Sequence, residues 1–375
     1  MGTFAYVAKL PNGRTVNGSL EASSQESVLD ALHQKGLVVV QVKPAPTRLA
    51  QRGRVGLDDL SIFCRQMATL VDAGIPILSG LEAVAEQLEN LVLRNVVVKI
   101  REDVEGGTNL TAAVAKQSHV FSPLFISMMM AGEASGHLAE VLDRLATYLE
   151  KSAALQRRVR SALVYPAIVV TMAVLITGLL VLTVIPAFKE IFTTLGARLP
   201  LPTLILLAVS DFLRRWFLVW FLMSIAGVVV FRRWVLRTPK GRLWFDRTML
   251  RLAIVGPIVR KVAIAKFSRT FATLVRSGVQ ILAALEIVAE TAGNRVVGAA
   301  VLQVKASIKE GENIATPLAA SGVFPPLVVR MISVGEQTGR LDEMLSKVAS
   351  FYEDQVDAAV SGLTSAIEPI IIAVL

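Results

Sequence analysis

The chain has 375 residues, 53% of them hydrophobic and 18% charged, and its formal net charge is +9. This composition is too apolar for an ordinary soluble enzyme and too charged for a chain that lies wholly in lipid, so it predicts soluble domains joined to a few membrane helices. The basic excess lies mainly beside the most apolar stretch, which favours anionic membrane lipid as a partner and excludes nucleic acid, because nucleic-acid binding needs basic residues massed on a soluble domain.

The first 45 residues predict a small α+β domain. Their pattern indicates a hairpin that turns at Asn12–Gly13, then a helix over 24–36 and a strand over 37–42. A linker with proline and arginine, residues 46–56, separates this domain from the rest of the chain. No basic segment followed by an apolar run opens the sequence, so a cleavable signal peptide is not expected.

Residues 57–160 and 261–360 are two copies of one sequence unit. When FCRQMATLVDAGIPILSGLEAVAE (63–86) is placed over FSRTFATLVRSGVQILAALEIVAE (267–290), 14 of the 24 residues are identical. Further along, GEASG in the first copy meets GEQTG in the second. Similarity at this spacing indicates an internal duplication.

Each copy is predicted to fold as a bundle of helices. In the first copy, Asn109 and Ser122 are placed as helix N-caps, and Ser79 with Glu82 has the pattern of a capping box. A one-sided apolar stripe begins after GEASG in the first copy and after GEQTG in the second. The last helix of each bundle is therefore predicted to run into a membrane.

Runs of uncharged residues predict the membrane segments. Residues 161–188 carry no charge and exceed the roughly 20 residues that a membrane helix needs. Residues 216–231 form a shorter second span flanked by arginine and tryptophan, and residues 201–213 are expected to lie along the outer face. A third span begins at residue 361, and because residues 361–375 are too few for a whole span, that helix is expected to be truncated here.

The distribution of lysine and arginine predicts the orientation. Basic residues are denser before the first span and after the second than between them, which puts both bundles in the cytoplasm. The fold class is thus an all-α membrane protein with two tandem cytoplasmic helical bundles, three transmembrane helices and a small N-terminal α+β domain. The predicted boundaries are 1–45 for the N-terminal domain, 46–56 for the linker, 57–160 for the first repeat, 161–188 for the first span, 189–215 for a periplasmic connection, 216–231 for the second span, 232–260 for a basic cytoplasmic connector, 261–360 for the second repeat and 361–375 for the start of the third span.

No group of residues points to catalysis. The three histidines share no metal-ligand spacing, and the chain has neither a phosphate-binding loop nor a nucleophile elbow. Cys64 has no partner histidine nearby and is expected to be a small buried side chain. We therefore predict a protein that is not an enzyme and that has no cofactor or metal site.

Two arginines and two glutamates, Arg65 and Arg269 with Glu133 and Glu336, were kept through the duplication. Each glutamate lies in a GExxG element, whose glycines allow a tight turn and a close approach of helices. Each glutamate is expected either to accept backbone N–H bonds at a helix end or to pair with the arginine. A partner contact or a metal site stays open as an alternative.

Glu368 precedes Pro369 at the edge of the third apolar run, where the first copy has Tyr165 and Pro166. An ionisable group at such a position is a functional candidate that could hold a cation or a neighbouring helix. The alternative is a carboxylate at the membrane interface that reaches water.

Together these features resemble the type II secretion system F family. The basic residue ahead of Tyr165 and Pro166, the downstream Pro186, the repeated GExxG element and the three spans fall where that family has them. The resemblance implies a multi-pass platform protein of the bacterial inner membrane that couples a cytoplasmic hexameric assembly ATPase to pilin or pseudopilin subunits. It also implies contacts with other inner-membrane assembly components and a homo-oligomer.

A membrane transporter subunit is the alternative function. It would need polar or ionisable groups at mid-membrane, and the first span has none. The structural or partner candidates are Arg65, Gly132, Glu133, Gly136, Tyr165, Pro166, Pro186, Arg269, Gly335, Glu336, Gly339, Glu368 and Pro369.

Overall fold

The structure is a computed structural model. It describes residues 2–9, 15–22, 27, 29, 32, 38–44, 54–184, 201–235, 238–253 and 255–374. Helices make up most of these residues, and a small sheet precedes them.

The sheet has three antiparallel strands, β1 (Gly2–Lys9), β2 (Thr15–Ala22) and β3 (Val38–Pro44), in the order β2-β1-β3. The strands β1 and β2 pair in register along their whole length, as the two arms of a hairpin do. The strand β3 pairs with the other side of β1. The predicted turn at Asn12–Gly13 and most of the predicted helix over 24–36 lie outside the described residues.

The ends of the helices in the first bundle follow local signals in the sequence. Asn109 and Ser122 each accept a hydrogen bond from the backbone N–H three residues on, at 2.8 and 3.3 Å, so both predicted caps are confirmed. The predicted cap at Ser79 is wrong, because its helix already begins at Ile77, directly after Pro76. The helices are α1 (Leu57–Asp72), α2 (Ile77–Gln87), α3 (Leu91–Glu105), α4 (Leu110–Ala115), α5 (Pro123–Ser135) and α6 (Leu138–Leu179).

The helix α6 is 42 residues long and runs from the bundle into the predicted first span without a break. Pro166 lies inside it, and a π-helical turn, Leu180–Val184, follows. By length and composition, α6 is the one helix in the described part of the chain that could cross a membrane. The second and third spans stay predictions.

A second long helix, α7 (Leu201–Val230), continues into a π-helical turn, Phe231–Val235. Residues 201–213, expected to lie along the outer face of the membrane, form one continuous helix with the predicted second span. The reason is that neither proline nor glycine interrupts the helix between residues 203 and 226.

The second bundle repeats the helix order of the first. Asn294 caps the third helix of this bundle just as Asn90 caps α3 in the first. An additional helix, α8, lies in the predicted connector 232–260 and packs against α9 and α11. The helices are α8 (Pro239–Arg251), α9 (Val255–Arg276), α10 (Ile281–Thr291), α11 (Arg295–Lys309), α12 (Ala315–Ala320), α13 (Pro326–Thr338) and α14 (Leu341–Val374).

Equivalent phenylalanines fill the centre of each bundle. The ring centroids of Phe63 and Phe121 are 6.2 Å apart, and those of Phe267 and Phe324, at the matching positions, are 4.7 Å apart. Burial of such rings contributes most of the stabilisation of a small helical core. The apolar stripe predicted after GEASG is also buried; it consists of Leu138, Val141, Leu142, Leu145 and Leu149.

The two bundles lie side by side along α6 and α14. The hydroxyl of Tyr148 is 3.2 Å from that of Thr270, and Arg158 forms an ion pair with Asp357 just before the apolar segments begin. The two helices that leave the bundles therefore start next to each other.

Candidate functional site

Glu133 caps a neighbouring helix of its own bundle. It lies near the end of α5, and its carboxylate accepts hydrogen bonds from the backbone N–H groups of Leu110 (N to Oε1, 2.9 Å) and Thr111 (N to Oε2, 3.0 Å). These N–H groups open α4, have no partner inside it and carry the positive end of its dipole. Glu133 thus fixes α4 to the turn that leads into α6.

The surroundings of Glu133 keep it ionised. Burial raises its pKa, but Thr111 and the backbone N–H of Leu110 outweigh that effect, so that the pKa lies below the ordinary value of a glutamate. The negative charge is therefore part of the cap.

Glu336 repeats the cap in the second bundle. The backbone N–H of Ile314 donates to its Oε1 at 2.8 Å. The residue that matches Thr111 is Ala315, so the second cap has no hydroxyl beside it. The cap is retained with fewer polar groups around it.

The glycines of the two GExxG elements have separate roles. Gly136 and Gly339 end α5 and α13 in the left-handed conformation, with φ of 76° and 70°, which glycine adopts without strain. Gly132 and Gly335 let the next helix approach closely. A Cβ added at Gly335 would lie 2.9 Å from the Cα of Leu341, and one added at Gly132 would lie 3.0 Å from the facing side chain of α6. The tight turn and the close approach expected from the sequence are both present.

Arg65 and Arg269 bind the last helix of their bundles. Arg269 donates to Glu353 through Nε (2.9 Å) and Nη2 (2.8 Å), which is a bidentate pair. Arg65 donates from Nη2 to both carboxylate oxygens of Glu150 at 2.9 Å, and it also contacts Asp143. The first helix of each bundle is thereby tied to the helix that leaves it.

Of the two arrangements expected for the GExxG glutamates, the structure has the one in which they accept backbone N–H bonds at a helix end, and the pairing with the arginine of the same copy is wrong. The carboxylate of Glu133 is taken by the start of α4, whereas the arginines lie on α1 and α9 and contact α6 and α14. Sequence reasoning missed Glu150 and Glu353 as partners. The available signal was their retention at the same offset that relates GEASG to GEQTG.

The remaining candidates lie in the predicted membrane segments. Tyr165 is half exposed and Pro166 is buried; α6 continues past this proline even though it lacks a backbone N–H to donate. Glu368 and Pro369 lie within α14. Pro186 falls outside the described residues.

The capped turns and the arginine pairs join helices of the same bundle. Within the described ranges, no three His, Cys, Asp or Glu side chains come close enough to hold a metal ion. Cys64 is fully buried in α1, and burial raises the pKa of its thiol. The arrangement links α4 and α6, and likewise α12 and α14, to the other helices of their bundles.

A contact that the sequence does not suggest joins α8 to the second bundle. Asp246 accepts from the backbone N–H of Arg295 (N to Oδ2, 2.7 Å), the first residue of α11. The matching helix start in the first bundle is that of α3, which Asn90 caps. There the carboxylate comes from α1, since Asn90 donates to Asp59 (Nδ2 to Oδ2, 2.7 Å). The basic connector predicted over 232–260 thus contains a helix that packs into the second bundle.

Comparison with protein families identifies the class of protein. The family described as type II secretion system (T2SS), protein F, matches residues 63–186 and 267–375, and the N-terminal domain of the same protein matches residues 1–43. The chain belongs to the type II secretion system protein F family. The two matches fall on the two copies, so the family unit is one bundle with its following apolar segment.

Individual relatives come from two kinds of machine. The type IV pilus assembly protein PilC of Thermus thermophilus is 43% identical over 99% of this chain and 93% of its own length. PilC of Myxococcus xanthus is 40% identical over 99% of this chain and 90% of its own length. The type II secretion system protein F of Pseudomonas aeruginosa is 35% identical over 98% of this chain and 93% of its own length.

Proposed function

We propose that the chain is an inner-membrane platform protein of a type IV pilus or type II secretion machine. In this role it couples a cytoplasmic assembly ATPase to the insertion or extrusion of pilin-like subunits. Membership of the family and relatives named for both machines support the proposal. The observation that carries it is architectural: each bundle is continuous, through α6 or α14, with an apolar segment.

The proposed topology has three spans, at 161–188, 216–231 and from 361 onward, with both bundles and the N-terminal α+β domain in the cytoplasm. The lysine and arginine asymmetry supports this orientation. The apolar length of α6 supports the first span. The three-stranded sheet and the match of residues 1–43 support the N-terminal domain.

The proposed partners follow from the duplication. Two similar bundles on one side of the membrane offer two similar surfaces to a ring-shaped hexameric ATPase, and the spans offer contacts to pilin or pseudopilin subunits and other membrane components. A homo-oligomer of the chain would match the symmetry of such a ring.

Transmission of motion would depend on unbroken helices. The capped turn at Glu133 and the pair of Arg65 with Glu150 fix α6 to its bundle, and α6 then continues past residue 160 as helix. A displacement of the bundle would therefore move the apolar half of the same helix.

The test uses two insertions between Arg160 and Ser161 in the full-length protein. Four alanines add about one helical turn and keep the helix continuous, whereas four glycines make the same length flexible. We expect the ATPase to co-purify with both variants, and pilus assembly or secretion to persist with alanine and stop with glycine.

Two results would contradict the proposal. Equal activity of the alanine and glycine variants would show that continuity of α6 is irrelevant. Failure of the wild-type chain to co-purify, after cross-linking in membranes, with any assembly ATPase or pilin-like subunit would overturn the function itself.

A further inference from the structure

An apolar cavity of about 240 Å³ opens where the second bundle meets α6 of the first, and α9, α14 and the junction of α10 with α11 form its other sides. Val159 and Ala162 of α6 and Val360 of α14 form one side of it, immediately before the apolar segments begin. The cavity therefore lies at the end of the bundle from which the membrane segments leave.

Lys266 is the one charged residue that lines this cavity. Its side chain is partly buried, and burial lowers its pKa. Across the part of the chain that the structure describes, no hydrogen bond or ion pair holds its ammonium group. A partly buried cation without a partner has lost part of its hydration, so a bound anion would be favoured here.

The first bundle has no cation at the position that matches Lys266. At an offset of 204 residues, Ile62 stands in place of Lys266, and Leu88, which is buried, stands in place of Ala292. The carboxylate of Asp59 has been replaced by the methyl group of Ala263. At these three positions, the second copy thus has two smaller, apolar side chains and a cation, and all three line the cavity.

These features together identify the kind of molecule that fits. An apolar wall suits an acyl chain, and an unpaired ammonium with no carboxylate beside it suits a phosphate that carries net negative charge. The volume lies below the roughly 300–1,000 Å³ of pockets that enclose a whole drug-sized ligand. The cavity therefore has room for part of a lipid, with the rest remaining in the bilayer.

We propose that this cavity binds one anionic phospholipid, whose phosphate pairs with Lys266 and whose acyl chain lies against Val159, Ala162 and Val360. The inference rests on the proposed membrane position of residues 161–188 and of those from 361 onward. Bound there, the lipid would contact both helices that leave the bundles. The second copy would thus have a lipid site that the first copy lacks.

The test is native mass spectrometry of the full-length protein, released from nanodiscs that contain phosphatidylglycerol and phosphatidylcholine. We expect wild type to retain one phosphatidylglycerol per chain. Lys266→Met removes the charge, and loss of a charge-assisted contact should reduce retention by at least about tenfold. Ala292→Leu fills the space and should reduce retention by a similar factor. Lys151→Met, which alters an exposed lysine of α6, should retain the lipid as wild type does.

Each other outcome counts against the site. Equal retention of phosphatidylglycerol by wild type and Lys266→Met, or equal retention of phosphatidylcholine, would overturn the proposal. Displacement of the lipid by inorganic phosphate alone would show that the cavity binds free anions and would also overturn the proposal. Circular dichroism melting shows whether each variant is folded. If the protein binds the ATPase in membranes but retains no phosphatidylglycerol, the lipid site is wrong and the proposed function stands. If the protein is absent from the membrane fraction, the proposed function is wrong.

Discussion

Arg269 and Glu353 form a bidentate ion pair in which each side chain is only 16% exposed. The matching pair of the first bundle, Arg65 with Glu150, is 41% and 48% exposed, and its arginine has Asp143 as a second partner. A pair shielded from water is screened less, and removal of Glu353 would leave the buried Arg269 with only the hydroxyl groups of Ser346 and Ser350. The ion pair therefore contributes more to the stability of the second bundle than its counterpart does to the first.

We expect Glu353→Gln to lower the free energy of unfolding of the second bundle by about 2 kcal/mol. The matched variant Glu150→Gln should cost less than about 1 kcal/mol, because Arg65 keeps Asp143 and water screens the pair. Hydrogen exchange of the full-length protein in detergent, read at α9 and at α1, measures the two effects separately. Equal losses would show that burial does not set the strength of these pairs.

The acid stability of the first bundle should depend on Glu133. Its pKa is lower in the folded state than in the unfolded state, so its contribution is present above the unfolded value of about 4.3 and is lost as the pH falls through the folded value. Glu133→Gln should cost about 1–2 kcal/mol at pH 7, and the difference from wild type should vanish in acid. Thermal unfolding across this pH range measures it.

The control for that experiment is Glu105→Gln, since Glu105 is exposed at the end of α3. We expect this variant to follow the wild-type profile. A Glu133→Gln variant that differs from wild type equally at neutral and acid pH would contradict the charged cap.

Gly335→Ala should be more damaging than Gly132→Ala. The added Cβ at Gly335 meets a backbone atom of α14, which cannot move without shifting the helix, whereas Gly132 faces a valine side chain. We expect a loss of about 1–3 kcal/mol for Gly335→Ala and less for Gly132→Ala. Gly362→Ala, at a helical glycine with open space around it, should not destabilise the protein. Melting temperatures that do not distinguish the three variants would contradict the close approach.

Labelling with a membrane-impermeant maleimide tests the topology. Added from the periplasm, it should modify a cysteine at residue 197 and spare cysteines at Ala112 and Ala319, which are exposed on the two bundles. The native Cys64 can stay, because it is fully buried. Labelling of both bundles with residue 197 spared would reverse the orientation.

Glu368 needs a functional test in the full-length protein. Glu368→Gln keeps the size and hydrogen bonding of the side chain but removes an ionisable charge next to Pro369 in an apolar segment. We expect pilus assembly or secretion to fall to background while the amount of protein in the membrane is unchanged, and Glu368→Asp to restore part of the activity. Wild-type activity with glutamine would mean that the charge has no role.

The sequence predicted the helix order of both bundles well, because apolar periodicity and caps such as Asn109 and Ser122 are local features. It did not predict which groups would meet. Glu133 reaches a helix start more than twenty residues earlier in the chain, and Arg269 reaches Glu353 across more than eighty. Such pairings depend on how helices pack, which no local pattern encodes. The error at Ser79 has a local cause instead: the helix begins at Ile77, with Pro76 as its N-cap residue, so Ser79 already lies inside the helix.

Because the two bundles belong to one chain, the contact of α6 with α14 forms at a fixed effective concentration and does not depend on how much protein the cell makes. Two separate identical subunits could not change one partner without changing the other. Two copies in one chain can change separately: the first has Asp59 and Leu88 where the second has Ala263 and Ala292. Covalent linkage thus frees two surfaces that began alike to evolve independently while they stay joined.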